Sequence, residues 1–493
     1  MSRKFWLLLV GLWLVVGCGE ETRQDAGLKR ARAAAQAERV KYQDWEALRL
    51  KNALIAVVTV PAIGGRTMVY DLGTRSLLYT NPKEYGQVYP AAQTEGERVW
   101  HNWGGYKTWP APQSHWGGPP DPLGSYLDAG EYKGEIVQAE GNQASVRVTS
   151  TADQDTTGLR FTRTLTVYRG TTRVKVEQTM TNISDKPVRW SIWDVTQVPG
   201  ALGEGETFSD DARVYFPLNP QSRHQRGFEV QAGKADSEQW MPNLAPGIMG
   251  VKYLGERGKI GADSFGGWIA YADERHGYVY VKLFTPDPKA EYPDNGSTVE
   301  VYTNRAADGL PYLEVEVLSP LQDLEPGESY TFPEDWYAAR CPGPVVAVNQ
   351  VGVVSEPLRA LKTGDSVELT GTFGVFHEGR ANYAFYDAQG KLIERRGRIE
   401  VSPLEVWELK EVVVLPEGAV QVALEVENYA RVPVGELTST TIEEAAPAEE
   451  TSPSETEKES EEETPLPAEP VQGEPPEKPT PAEGQSALPV QRS

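Results

Sequence analysis

The run WHNWGGYKTWPAPQSHWGGPPD, Trp100 to Asp121, gathers the densest potential recognition chemistry in this 493-residue chain. Four of the 13 tryptophans stand in it: Trp100, Trp103, Trp109 and Trp116. Among them lie His101, Asn102, Lys107, Gln113 and His115, a mixture of cations, donors and acceptors. Indole faces beside hydrogen-bonding side chains suit a sugar, whose ring has apolar C–H faces and a hydroxyl rim. The same indoles also suit a core plug, since each carries a large apolar area. Alternation is absent, and Pro110, Pro112, Pro119 and Pro120 argue against a long helix or a central strand. The run is therefore expected to be an irregular loop that either lines a pocket or plugs the core.

A loop of this kind needs a scaffold, and from Trp45 to about residue 340 the scaffold reads as β. Leu54 to Val60 is a compact apolar run closed by Pro61 and Gly64-Gly65. Phe161 to Val167 and Val174 to Thr181 read as a hairpin about Arg169-Gly170. Further strands are legible at Ser145 to Ser150, Trp268 to Tyr271, Tyr278 to Phe284, Val299 to Thr303 and Tyr312 to Leu318. Helical periodicity is scarce. Many strands with long connections fit a large antiparallel sandwich over residues 45–340 rather than βαβ units.

GGRTMVYDLGTRSLLYTNP, Gly64 to Pro82, resembles the opening of the aldose 1-epimerase, or galactose-mutarotase-like, superfamily. TNISDKPVRWSIWD, Thr181 to Asp194, is similar to its middle signature. YLEVEVLSPLQDLEPGESYTFPEDW, Tyr312 to Trp336, resembles its closing strand and turn. NWGGYKTWPAPQ resembles an uncharacterised, exported bacterial branch of it. The resemblance implies an antiparallel β-supersandwich with a carbohydrate-shaped cleft on one concave sheet face. It also implies a glutamate base acting on the anomeric hydroxyl and a histidine acid acting on the ring oxygen, each within hydrogen-bond reach of the sugar. Glu314 matches the glutamate, with Glu316 two residues on and on the same strand face, and Arg66 matches a position near the cleft. The histidine has no match. Where the superfamily carries it, this chain reads Trp193-Asp194-Val195-Thr196-Gln197, and neither Thr196 nor Gln197 is an acid at neutral pH. A substitute would have to come from His101, His115, His224, Lys107 or Lys259. Gln197 and Lys259 join the tryptophan-rich run as candidate sugar-binding residues.

Other residues narrow the chemistry. His276 reads as part of a hairpin tip, and His377 falls outside the large sandwich. No paired-histidine zinc spacing, phosphate loop or G-x-S-x-G elbow occurs, and Asp210-Asp211 lacks the spacing of a calcium loop. Neither a metal nor a cofactor is expected.

At the start of the chain, Arg3 and Lys4 precede an apolar run, Phe5 to Val16, that is short of the roughly 20 residues a membrane span needs. Val15-Val16-Gly17-Cys18 reads as a lipobox. Residues 1–18 are thus read as a bacterial lipoprotein signal, with Cys18 lipidated. Residues 19–44, rich in helix formers from Ala26 to Tyr42, are read as a tether. Cys341 is the only other cysteine, so no internal disulfide is available, and it reads as a buried, inert thiol. After a linker at Cys341-Pro342-Gly343-Pro344, residues 341–440 read as a small β-sandwich, immunoglobulin-like or jelly-roll. Residues 441–493 form an acidic, proline-rich tail. From Glu443 onward fourteen glutamates face two lysines and one arginine, which carries −11 of the net −23. With no aromatic side chain, the tail is expected to be disordered. The acidity argues against nucleic acid as a partner. The expectation is a lipid-anchored, extracytoplasmic envelope protein that binds a mono- or oligosaccharide. The alternatives are an aldose 1-epimerase, or related sugar-modifying enzyme, built on Glu314, and a structural envelope protein with a vestigial cleft.

Overall fold

The computed structural model describes residues 23–89, 101–116, 124–154 and 156–444. The signal sequence, Cys18, Trp100, the segment 117–123 and the tail beyond Glu444 lie outside the described residues. The architecture is antiparallel β, built as two large sheets followed by two small ones.

Nine strands of the first large sheet matter for the site: β1 (Ala35–Tyr42), β2 (Trp45–Lys51), β3 (Ile55–Val60), β4 (Arg66–Leu72), β5 (Tyr106–Ala111), β6 (Val188–Pro199), β7 (Gly258–Ala262), β8 (Val299–Thr303) and β9 (Tyr312–Leu318). Their order across the sheet is β7–β8–β9–β6–β5–β4–β3–β2–β1. The second large sheet has ten strands, with Tyr278–Phe284 and Ser329–Arg340 near its middle. The expected hairpin is there, Leu159–Tyr168 against Val174–Asn182, and Gly170 supplies the positive φ of its turn.

Strand alternation divides the residues of the first sheet between two environments. On β9, Leu313, Val315 and Val317 pack into the main core, while Glu314 and Glu316 take the other face. On β6, Asp194, Thr196 and Val198 alternate with Trp193, Val195 and Gln197. Asp194 enters a buried polar network between the two sheets. Lys282, on the second sheet, is ion-paired with Asp194 and donates to the Val315 carbonyl at 2.8 Å. Gln178 donates to Asp194 at 3.2 Å, and Trp336 donates to Glu334 at 2.8 Å.

Two expectations about local structure are corrected. The stretch from Ala26 to Tyr42 is not one helical tether. A helix covers residues 23–32, and β1 then joins the large sheet. Ala35 and Ala37 are buried by its alternation, and Gln43 and Asp44, both at positive φ, make a two-residue turn that pairs Tyr42 with Trp45. The prolines also fail to exclude a strand, because Tyr106–Ala111 is β5, within the large sheet. It pairs with β6 along its whole length but with β4 only through Thr67 and Tyr106. Pro110 therefore sits where one edge of the strand needs no donor.

The small sandwich consists of a five-stranded sheet that includes Gly352–Thr363, Ser366–Val375 and Trp407–Val414, and a four-stranded sheet from Leu392–Val401 to Pro433–Thr441. Its own core contains Val367, Leu369, Phe373, Phe385 and Leu424. The segment read as a linker is packed. Cys341 and Val345 are buried in a cluster with Tyr337 and Phe376, whose rings stack with centroids 4.5 Å apart. Burial pushes the Cys341 thiol up to about 12, in keeping with an inert cysteine. Arg30, on the N-terminal helix, is ion-paired with the buried Glu378 of the small sandwich. Strand pairing continues to Glu443–Glu444, beside Leu361 and Lys362, so the first residues assigned to the tail belong to the sheet.

Candidate functional site

The antiparallel register of β5 to β9 lines up side chains on the sheet face that carries Glu314 and Glu316. Lys107 lies opposite Val195, Val195 opposite Glu316, and Glu316 opposite Glu300. The neighbouring row is Gln197, Glu314, Tyr302 and Lys259. Trp109 and Trp193 form a third row and meet edge to face, with centroids 5.5 Å apart. Five strands thus bring two lysines, three glutamates, an amide and two indoles to one patch of sheet.

Two linked clusters divide this patch. In the first, Gln197 donates to Glu314 at 2.9 Å, and Lys107 Nζ lies 3.9 Å from the same carboxylate oxygen. Lys107 Nζ also sits 3.4 Å from the centroid of the Trp109 ring, a close cation–π contact. The Trp109 indole N–H donates to Asp128 at 2.9 Å, and Asp128 is ion-paired with the fully buried Arg66. In the second cluster, Lys259 Nζ bridges Glu300 at 2.6 Å and Glu316 at 3.2 Å and lies 4.3 Å from the Trp193 ring. The Trp193 indole donates to Glu316 at 2.8 Å, and Gln231 donates to Glu300 at 2.7 Å. Among the described residues, Glu316 Oε1 is buried without a hydrogen-bond partner.

The two lysines are driven in opposite directions. Lys107 is only 2% exposed, and its pKa falls to about 8. Burial is the main cause, Arg66 adds repulsion, and Glu314 pulls the other way. Burial alone would also lower Lys259, but Glu300 and Glu316 outweigh it and hold that lysine charged, above its ordinary value. Glu316 is pushed well above the carboxylate range by burial, with Glu314 and Glu300 adding to the shift against the pull of Lys259. Among the three glutamates of the patch, Glu314 is the one that solvent reaches, at 12% side-chain exposure, and Lys259 is reached at 17%. One face therefore carries a lysine able to exchange its proton near neutral pH and another that stays a fixed cation. Environments that separate paired groups in this way assign them different roles.

The residues singled out in the sequence fall into three groups. Arg66, Lys107, Trp109, Gln197, Lys259, Glu314 and Glu316 converge as just described. Trp103 instead belongs to a separate small core with Trp45, Val60 and Met68, its face toward Arg66, and Asn102 accepts from the Gly104 N–H. Trp116 is buried at 7% exposure, edge-on to Trp109 with centroids 5.1 Å apart, so it supports the site from the core. His101 stacks on Tyr89 beside Glu84, while Gln113 and His115 are exposed on a short turn, His115 against Trp190. His224 lies in a loop where its backbone bonds to Ser222. Thus the histidines proposed as substitute acids make their contacts elsewhere, and Lys107 is the candidate cation beside Glu314. Asp128, Glu300 and Gln231 were missed. The alternation of Val299-Glu300-Val301 repeats that of Val315-Glu316-Val317 and could have flagged Glu300, whereas Asp128 ends a short helical turn with no sequence signal of its role.

Fold and site define an antiparallel β-sandwich protein with a polar, indole-flanked patch on one sheet face. The chain belongs to the DUF4380 family, a domain of unknown function, whose model matches residues 45–339. No curated protein matches it. Among solved structures it is similar to a TPR-domain containing protein from Parabacteroides distasonis, at 11% identity over 62% of this chain and 49% of that chain, with a TM-score of 0.43. It is also similar to a galactose mutarotase-like protein from Clostridium acetobutylicum, at 11% identity over 62% of this chain and 99% of that one, with a TM-score of 0.40. A galactose mutarotase-like protein from Lactobacillus casei is 11% identical over 59% of this chain and 99% of that one, with a TM-score of 0.38.

Proposed function

We propose that this protein binds a carbohydrate on the β5–β9 face. One observation carries the reading: the Glu314 carboxylate, reached by solvent, is fixed by Gln197 and flanked by Lys107 on the face of Trp109. Carboxylate, amide and ammonium groups bond sugar hydroxyls, and indoles pack on C–H faces. The fixed cation Lys259, resting against the buried Trp193 ring, extends the same surface. A glycan array probed with the full mature chain tests this. Selective binding of one glycan class is expected, and a blank array with folded protein contradicts the reading.

A second reading, an aldose 1-epimerase-like enzyme, draws on the proximity of Lys107 to Glu314. With Glu314 as base, a lysine that titrates at about 8 could return a proton to the ring oxygen. Polarimetry separates the two readings, because an enzyme interconverts anomers far above the buffer rate and a binder does not.

The cellular setting proposed is the extracytoplasmic face of a bacterial membrane, with Cys18 carrying the lipid. Wild-type protein is expected in the membrane fraction, and Cys18→Ser is expected to move it to the soluble or unprocessed pool. A cytosolic wild-type protein retaining Met1 to Cys18 contradicts this.

A further inference from the structure

Lys107 has surroundings that a hydroxyl-binding lysine does not need. Its amine is nearly inaccessible, lies on the Trp109 ring and shares the site with the buried Arg66. Removal from water and a neighbouring cation both favour the neutral, nucleophilic form of a lysine. Glu314, 3.9 Å away, is a carboxylate placed to carry protons to and from that nitrogen, and it borders solvent. Lys259 provides an internal contrast. It stands on the same face, but Glu300 and Glu316 hold it as an ammonium ion.

We propose that Lys107 is an aldehyde-reactive amine that forms a reversible imine with the open-chain form of a small aldose, or with another short aldehyde, held at Glu314. The choice of substrate rests on the carbohydrate reading, whereas the reactivity rests on the amine's surroundings. In the addition step the Nζ lone pair forms a bond to the carbonyl carbon, and the π pair moves to oxygen. Glu314 passes the proton released from Nζ to that oxygen, giving a carbinolamine. Glu314 then carries the proton remaining on Nζ to the hydroxyl, which leaves as water while the nitrogen lone pair forms the C=N bond. Hydrolysis reverses both steps, so the sequence balances with water as the only other reactant. Of the two lysines, Lys107 has the falling pKa, which keeps much of it neutral slightly above pH 8.

The test uses the full mature chain, glycolaldehyde as the probe, and cyanoborohydride to reduce any imine to a stable secondary amine located by peptide mapping. Lys107 is expected to be labelled about 10-fold faster than Lys259 or the surface lysines, at a rate that rises as pH passes through about 8. Lys107→Arg should abolish this label, and Glu314→Gln should slow it. The wild-type map carries the test even where a variant fails to fold. Labels confined to surface lysines, with Lys107 unmodified, overturn the proposal. A glycan array run in parallel distinguishes the two readings. Binding without a Lys107 label rejects the imine and leaves carbohydrate recognition standing, and a Lys107 label with a blank array does the reverse.

Discussion

Lys282→Met is expected to destabilise the large sandwich by about 3–5 kcal/mol, among the largest losses available from one side chain in this protein. Lys282 is completely buried and ion-paired with Asp194 of β6, and it also donates to the carbonyl of Val315 on β9. Without its ammonium group, Asp194 remains buried close to Glu334 with its ion pair lost. A methionine fills the volume but leaves that charge uncompensated, which is costlier than replacing the whole network by apolar groups. Burial, reinforced by Asp194, raises the Glu334 carboxyl well above its ordinary value, and Lys282 opposes the shift. A carboxyl raised in the folded state contributes stability that is full below its unfolded pKa and is lost as pH rises through the folded value. The variant should therefore recover part of its stability between neutral pH and about pH 5, more than wild type does. Urea titrations followed by tryptophan fluorescence at both pH values measure this. A variant as stable as wild type at neutral pH would mean that the network is dispensable. Because Val315 lies between Glu314 and Glu316, loss of Lys282 also loosens the strand that carries both carboxylates.

Trp109→Ala is expected to weaken glycan binding about 10–100-fold while the fold survives. The ring is partly exposed, so the stability loss should fall near 2–3 kcal/mol, below the 3–5 kcal/mol typical of a fully buried tryptophan. The substitution removes the surface on which Lys107 rests and the indole donor to Asp128. Trp116→Ala should do the opposite, with a full core penalty and a smaller direct effect on recognition, because Trp116 lies behind Trp109. Melting temperatures paired with titrations on the same preparations compare them. Equal unfolding by both changes would make the whole tryptophan-rich run a plug.

Much of the scaffold was legible because strands advertise themselves every second residue. Leu313-Glu314-Val315-Glu316-Val317 reads as a half-buried strand, and both glutamates lie on the face that the pattern assigns them. The N-terminal segment misled for a physical reason. Alanine, arginine and glutamine favour helix locally, but the Gln43-Asp44 turn folds Ala35–Tyr42 back onto β2, and sheet pairing overrides propensity. Prolines misled in β5 because their cost depends on whether a partner strand needs the missing N–H, which sequence cannot show. Among candidate acids, spacing could not choose between three histidines and two lysines. That choice depends on the register of β5 against β6 and of β6 against β9, which carries Lys107 to Glu314 across strands far apart in the chain. Asp128 reaches Arg66 from 62 residues away and was invisible for the same reason.

The most direct measurement is a calorimetric titration of the best array glycan into wild-type protein and Glu314→Gln. Glutamine keeps the size of the side chain and one carbonyl acceptor but removes the charge that Gln197 and Lys107 hold in place. Hydrogen bonds to a charged group contribute about 1.5–3 kcal/mol, so affinity should fall about 10–150-fold with the melting temperature nearly unchanged. Binding of equal strength by both proteins would place the glycan elsewhere on the molecule and contradict a carbohydrate site on the β5–β9 face.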